Sequence, residues 1–562
     1  MSDTKTILDW ALHWEKQSPD LLHFIQPMGG GSANVKTWTW AQAVKEARRM
    51  AAHLERLNFP PKSRIAICSK NCAYWLLADW AIWMAGHVSV PLYPVLNAST
   101  VRYILEHSDA KLLFVGKLDA VWGEMQSGVP VGVQKIAFPL SPPGEGDSWD
   151  DIVRRQEPLA PVVQRTMEEM ATIVYTSGST GQPKGAMLSF GAMAAATEGI
   201  VRLFKMTTHD RMLSYLPLAH TMERWLVDGA ATQASFQVFF AETPETFLQD
   251  LQRARPTLFL SVPRLWLKFQ EGVFKKVPPA KLNRLLKIPI LSGIVKKKIL
   301  KGLGLDAVRI AGSGSAPISG ELLTWYRKLG LELLEGYGMS ENFNYSHVSR
   351  PGQVRVGYVG SPHEGVECKL GAGGEILVKS PGSMMGYFKQ PNETREAFTE
   401  DGFLKTGDCG VIDELSRLQI TGRVKEIFKT SKGKYVAPAP IENKLINHPL
   451  VEQCCVSGAG QPQPYAMVVL SEGARSAAKR DGKAAMEKQL AEHLANVNAG
   501  LDHVEQLQFL SAICEEWTAE NGMLTPTLKI KRGKIEEAYA GQLAGWYAQN
   551  RKIVWAEPSA TR

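Results

Sequence analysis

The sequence predicts α/β layering, with a large N-terminal domain and a smaller second domain behind it. Three observations lead there. Segments of helical periodicity alternate with short β-branched runs. One of those runs ends directly in a loop of small residues, at 172–181. At 562 residues the chain is too long for a single core to be the default.

Taken in order, Arg64-Ile-Ala-Ile-Cys68 and Lys111-Leu-Leu-Phe-Val115 read as buried strands. Between them, 73–85 reads as a helix carrying several tryptophans. The apolar stretch from Ala73 to Leu96 is interrupted by Asp79, His87, Pro91 and Pro94. It is therefore expected to be a core helix plus strand and not a membrane span. Thr172-Ile-Val-Tyr175 is a further short strand. Residues 488–498 have the Leu, Ala, Glu and Lys mixture of a helix. A boundary falls near Gly422-Arg423-Val424-Lys425. This divides the chain into 1–422 and 423–562, and the last ~140 residues suffice for a small domain.

Composition narrows the function. Apolar residues are 44% and charged residues 21%, which is ordinary for a globular chain and excludes disorder. The net charge is +8, but it is not spread evenly. Of the 64 basic residues, nine lie between Lys275 and Lys301 with no acid among them, so the rest has 55 bases against 56 acids. A local patch on a near-neutral chain argues against a nucleic-acid binder. Seven scattered cysteines suggest neither a disulfide framework nor a zinc site, and a reducing, cytoplasmic setting fits them. The first residues carry no basic-then-apolar leader pattern.

The strongest local signal is Tyr175-Thr-Ser-Gly-Ser-Thr-Gly-Gln-Pro-Lys-Gly185, in which seven of eleven residues are Gly, Ser or Thr. Glycines let the backbone approach a ligand, and hydroxyls and bare N–H groups donate to anionic oxygens. Lys184 adds a positive charge. Thr176, Ser177, Gly178, Ser179, Thr180, Gly181 and Lys184 thus form a candidate polyphosphate cradle. It is not a Walker A loop, because Pro183 stands where that motif needs its second Gly. The bland alternative is a flexible linker.

This run resembles the phosphate-binding signature of the adenylate-forming enzymes, and further motifs follow in that family's order. Gly336-Tyr-Gly-Met-Ser-Glu341 is similar to the second signature, with Ser340 in place of the usual Thr. The resemblance implies that Tyr337, beside Gly338, packs on adenine, that Ser340 contacts the α-phosphate, and that Glu341, with Thr176, helps hold Mg²⁺. Alone, the hexapeptide also reads as a turn with Ser340 as a helix N-cap. The small-residue turn containing Ser315, Ala316 and Pro317 borders adenine and the acyl pocket in the family. Lys405-Thr-Gly-Asp-Cys-Gly410 resembles the ribose-binding motif, with Asp408 accepting from both hydroxyls and Arg423 as the second contact; alone it reads as a plain turn.

The stretch from Lys425 to Pro438 is very like the long-chain acyl-CoA synthetase branch. There Lys425 marks the hinge, and Gly433 belongs to a loop lining the pantetheine channel. Leu524-Thr-Pro-Thr-Leu-Lys-Ile-Lys-Arg532 matches the same branch and implies Lys529 as the catalytic lysine, with Lys531 and Lys534 as competitors. In Leu216-Pro-Leu-Ala-His-Thr-Met-Glu-Arg224, which also matches this branch, His220 is a candidate neighbour of the acyl carboxylate or gate of its tunnel, and Trp225 a candidate tunnel gate. A lone His on an apolar segment is more often a packed one.

The resemblance implies an adenylate-forming fold with a mobile α+β C-terminal domain. It implies activation of a long- or medium-chain fatty acid by ATP and transfer to coenzyme A. Lys184, Lys529 and Mg²⁺ would offset the repulsion between carboxylate and α-phosphate. An alternative keeps adenylation but ends in a carrier-protein thiol or a β-lactone. The motifs leave residues 275–301 unexplained: a basic, apolar surface suited to the inner face of a membrane, or a solvated insertion with two half-buried helical turns.

Overall fold

The computed structural model describes residues 4–29, 34–176, 182–446, 448–518, 520–525 and 529–558. A central sheet of eight strands organises the N-terminal part. Its middle is β1 (Arg64–Cys68), followed by α1 (Ala73–Met84), β2 (Val88–Leu92) and β3 (Ala110–Val115). β1 pairs in parallel with both β2 and β3. Their apolar runs are continuous because both sheet faces are covered. Beyond β2 lies β4 (Met170–Thr176), which turns back antiparallel into β5 (Lys184–Ser189), with Thr176 opposite Lys184.

All twelve residues of α1 are buried, including Trp75, Trp80 and Trp83. An Asp inside such a helix requires a partner. Asp79 has one in Arg224, which also donates to Thr172 Oγ1 of β4 at 2.8 Å and lies 3.8 Å from Asp228. Arg224 begins a π-helical segment, Arg224–Ala230, in which the widened turn coincides with this buried ion cluster.

A second, five-stranded sheet contains β6 (Leu258–Ser261), β7 (Ile310–Ser313) and β8 (Leu333–Tyr337), all parallel. Between β6 and β7 the chain leaves the core as α2 (Pro263–Lys276), α3 (Pro279–Lys287) and α4 (Pro289–Gly302). Each begins with proline, whose missing N–H costs nothing at a helix start. The basic segment is thus built from helices, more ordered than the half-buried turns the sequence suggested.

An antiparallel sheet containing β9 (Leu404–Ile412) and β10 (Leu418–Arg423) comes next. The last part forms its own cores around α5 (Pro438–Leu445), β11 (Val451–Ser457), β12 (Tyr465–Leu470), α6 (Ala484–Ala499), β13 (Leu510–Ile513) and β14 (Ile553–Trp555). It mixes parallel and antiparallel pairings, as an α+β unit does. All seven cysteines are free thiols. Among the described residues no helix is long and apolar enough to cross a membrane.

Candidate active site

The ends of β4, β5 and β8 converge on one carboxylate. Glu341 lies in a short 3₁₀ turn, Ser340–Asn342, just after β8, so Ser340 opens that turn and does not cap a helix. Glu341 Oε1 accepts from Thr176 Oγ1 at 3.4 Å and from Tyr387 Oη at 3.0 Å. Lys184 Nζ lies 5.2 Å from the centre of the Tyr387 ring. Thr176, Lys184 and Glu341 are therefore neighbours, although 165 residues separate the first from the last. Ser177, Gly178, Ser179, Thr180 and Gly181 lie outside the described residues.

Tyr387 is a member of this cluster that sequence reasoning missed. It sits on a two-residue strand, Gly386–Tyr387, added to the edge of β5, and Thr394 Oγ1 accepts its N–H at 2.8 Å. The signal was present as a Gly-Tyr pair, but such pairs are common. Only the pairing with β5 brings this one to Glu341.

The second convergence is on Asp408. It occupies β9 directly opposite Arg423 of β10, so the motif is strand and not a plain turn. Arg423 Nε donates to Oδ1 at 2.9 Å and Tyr337 Oη to Oδ2 at 2.7 Å. Each carboxylate oxygen keeps a further lone pair for another hydroxyl donor. Gly338 follows Tyr337 where a Cβ would stand 2.5 Å from the Asn344 carbonyl oxygen, so no side chain fits. Ser315 has a left-handed backbone, φ 67°, in the exposed turn after β7 that it forms with Ala316 and Pro317.

The third element is the segment before the π-helix. His220 Nδ1 accepts the Met222 N–H at 3.1 Å, capping a helical turn, Thr221–Glu223. Thr221 Oγ1 lies 3.4 Å from Ser340 Oγ and accepts from Asn344 Nδ2 at 2.6 Å. This joins the His220 segment to the turn that bears Glu341. His220 keeps a partly accessible surface, yet protein encloses its ring. That burial, together with the nearby Lys529 charge, pulls its pKa down to about 4.

Behind it lies a narrow apolar cavity lined by Met222, Trp225, Leu260, Ile310, Leu334 and His363. Trp225 is held by its indole N–H on the Ala196 carbonyl, 2.8 Å away. Its free volume is about 40 Å³, little more than one water's share of about 30 Å³. Side chains must therefore move before a long apolar ligand enters.

Lys529 comes from the C-terminal part yet faces this site. Beside an antiparallel bridge between Leu524 and Ile530, the Thr525 N–H donates to the Lys529 carbonyl at 2.8 Å and Thr525 Oγ1 accepts the Lys529 N–H at 3.1 Å. The Lys529 ammonium is crowded by protein although the residue as a whole is exposed. The crowding, then Arg423, lower its pKa, while Asp408, Glu341 and Glu426 oppose that shift. Lys531 and Lys534 are exposed, and Lys534 pairs with Glu537 at 2.9 Å. An ion network holds the orientation: Arg264 of α2 bonds Glu452 of β11 and lies 3.6 Å from Glu516, and Arg475 lies within 3.8 Å of both acids.

Two further expected site residues lie on exposed backbone after β10. Gly433, φ 75°, lies in an exposed hairpin between Phe428–Lys429 and Tyr435–Val436, and its nearest side-chain neighbour is Lys429. Lys425 is exposed in the turns after β10.

Converging Lys, Glu and Asp side chains beside an apolar cavity are what an acid-activating enzyme requires. Residues 12–388 match the model of the AMP-binding enzyme family, and 425–551 match the AMP-binding enzyme C-terminal domain. The chain belongs to the AMP-binding enzymes.

Within them it falls in the long-chain-fatty-acid–CoA ligase branch, as an AMP-forming ligase. It is 30% identical to a long-chain-fatty-acid–CoA ligase of Mycobacterium bovis, covering 95% of both chains. It is also 30% identical to the peroxisomal long chain acyl-CoA synthetase 6 of Arabidopsis thaliana, covering 95% of this chain and 84% of that one. Its fold is shared with the adenylation domain of a carboxylate reductase from Mycobacterium chelonae, with a TM-score of 0.80, 22% identity, and 97% and 92% of the chains covered. An O-succinylbenzoate coenzyme A synthetase from Bacillus subtilis, in complex with AMP, gives a TM-score of 0.73 at 21% identity, covering 94% and 98%.

Proposed function

We propose that the enzyme condenses a long- or medium-chain fatty acid with ATP, releasing pyrophosphate, and transfers the acyl group from the adenylate to coenzyme A, releasing AMP. The observation that carries this reading is the placement of Lys529 from the C-terminal part beside His220, Asp408 and Glu341.

In the first half-reaction the fatty carboxylate attacks the α-phosphate, bringing two anions together. Lys184 and Lys529 supply the opposing charge and position the groups. The ribose hydroxyls bond Asp408, with Arg423 holding that carboxylate in place, and Tyr337 offers its ring to adenine. Glu341 and the Thr176 hydroxyl are hard oxygen donors. Such a sparse set suits Mg²⁺, which keeps most of its shell as water and phosphate oxygens. The ion would lower the charge on the phosphates. The apolar cavity behind Trp225 would take the acyl chain.

In the second half-reaction a thiolate attacks the acyl carbonyl and AMP leaves. Gly433 is assigned to that step, and in the present orientation nothing brings it to the site. The proposed boundary at 422/423 and the hinge at Lys425 let the C-terminal domain, 423–562, turn to replace one face by the other. The branch similarity favours coenzyme A over a carrier-protein thiol.

The test is ATP-to-AMP turnover with saturated fatty acids of graded length, with and without coenzyme A. Turnover that requires both the fatty acid and coenzyme A is expected; turnover without coenzyme A, or none with any fatty acid, refutes the proposal. Lys529→Ala should abolish adenylation and spare thioester formation from supplied acyl-AMP. Equal loss of both would reject its assignment.

A further inference from the structure

The nine cations of 275–301 are absorbed by none of this chemistry, and the structure shows how they are displayed. Eight are exposed; Lys296 is half-buried. Among the described residues none of the nine enters an ion pair. Acids within the segment are absent, and the nearest in sequence are Glu271 and Asp306, the latter held by Arg255 at 2.8 Å.

α3 and α4 form a helical hairpin. Its inner face rests on the core through Leu282, Leu286, Val295 and Ile299. Its outer face is both cationic and apolar. On α3, Lys281, Arg284 and Lys287 recur every three residues. On α4, Ile290, Ile294, Lys297 and Lys301 fall at i, i+4, i+7 and i+11, which is one face of a helix. The corner between the helices leaves Ile288 50% and Ile290 85% exposed, with Ile294 61% exposed beside them. α4 has no buried residue at all.

A purely polyanionic partner would need the lysines and gain nothing from three bare isoleucines. A soluble surface would have neither reason to gather nine unpaired cations nor reason to leave those isoleucines in water. A bilayer with anionic headgroups rewards both: the isoleucines enter the headgroup–acyl boundary while lysines on the same face meet phosphates. We infer that the α3–α4 hairpin is a docking surface for an anionic membrane, seated through Ile288, Ile290 and Ile294 and held by the surrounding lysines and Arg284. This goes beyond the ligase reading and does not depend on it, because binding is measured without substrate.

The experiment is co-sedimentation of the full chain with phosphatidylcholine vesicles, with and without about a third phosphatidylglycerol. Binding is expected only to the anionic vesicles and should weaken with salt. Neutralising Lys297, Lys298 and Lys301 to Gln should cost about five-fold per lysine, near a hundred-fold together. The variant Ile288→Ser/Ile290→Ser/Ile294→Ser should lose binding as well, while neither variant changes ATP-to-AMP turnover on a short, water-soluble acid.

Absence of wild-type binding to anionic vesicles at low salt overturns the inference. So does retention of vesicle binding by the isoleucine variant together with loss in the lysine variant. That pattern, with the same ranking on heparin resin, would mark a general polyanion surface.

Discussion

Removing Arg264 should slow one half-reaction and not the other. Its guanidinium bonds Glu452 and lies 3.6 Å from Glu516, and these contacts join α2 to the part of the chain that carries Lys529. The side chains are 35%, 17% and 44% exposed, so neither pair is buried. Pairs of that kind contribute roughly 0.2–1 kcal/mol each, and two of them about 1 kcal/mol. Glu452 is left with Arg475 at 3.5 Å, so Arg264→Ala strands no charge in the interior. Helix α2 should not suffer either, since a cation in its first turn opposes the helix dipole. Under the proposed domain rotation, the whole effect then falls on the equilibrium between orientations. About 1 kcal/mol is close to a five-fold shift away from the orientation that presents Lys529.

The assay is rapid-quench single turnover of each half-reaction: acyl-AMP formation from ATP, and thioester formation from supplied acyl-AMP. Adenylation should slow by up to about five-fold where the closed orientation limits the rate, with thioester formation unchanged or faster. The difference should shrink in high salt, which screens exposed pairs. Equal slowing of both steps would refute the reasoning, as would an effect that persists at high salt.

Other outcomes follow from the same geometry. Asp408→Ala should weaken ATP and AMP binding by roughly 1–3 kcal/mol, the cost of losing charge-assisted hydrogen bonds, read by calorimetry; unchanged affinity would reject the ribose role. Tyr387→Phe removes the hydroxyl that Glu341 accepts at 3.0 Å, and should raise the Mg²⁺ concentration needed for half-maximal adenylation with little change in melting temperature.

Stability should peak near neutral pH. Burial pulls His23 and His363 down to about 3 and His87 and His347 to about 4, so the unfolded chain takes up protons that the native one refuses below pH 6.5. Burial pushes Glu223 and Glu335 up to about 8, so between pH 4.5 and 8 the native chain holds protons that the unfolded one has given up, and this contribution falls as pH rises. Near pH 5.5 the histidines outnumber the carboxyls by about two protons. Stability should then rise with pH by about 2–3 kcal/mol per unit, and above pH 7 the sign reverses. A urea-denaturation series from pH 5 to 9 with its maximum at pH 5 would contradict this.

Much of the fold could be read from the chain. The strand 64–68 and the helix from Ala73 are continuous apolar runs, and burial on both sheet faces makes such runs unambiguous. The Gly, Ser and Thr content at 176–185 was visible because small residues carry their chemistry in their identity, whereas Glu341 and Asp408 were singled out by the family resemblance, their motifs alone reading as turns. Three features were not visible in that way. Asp79 read as an interruption in an apolar helix; its partner Arg224 is 145 residues away. Tyr387 reaches Glu341 only because a two-residue strand pairs with β5. Nothing in the sequence singles out Glu335 or Glu223, and only packing buries them.

By itself, then, the sequence determined the layered architecture, the family, and the residue types at which phosphate and ribose chemistry is expected. These depend on local periodicity and on short contiguous motifs. Only the tertiary structure decided which groups share a space: Thr176 with Tyr387 on one carboxylate, Tyr337 with Arg423 on another, and Lys529 within reach of both charges. It also decided that Lys529 carries its charge within reach of Asp408 and Glu341, and that the nine cations stand around bare isoleucines. The physical reason is common to all of these. Charge, burial and hydrogen bonding act over a few ångströms in space, and the chain sets those distances only when residues far apart in sequence are packed together.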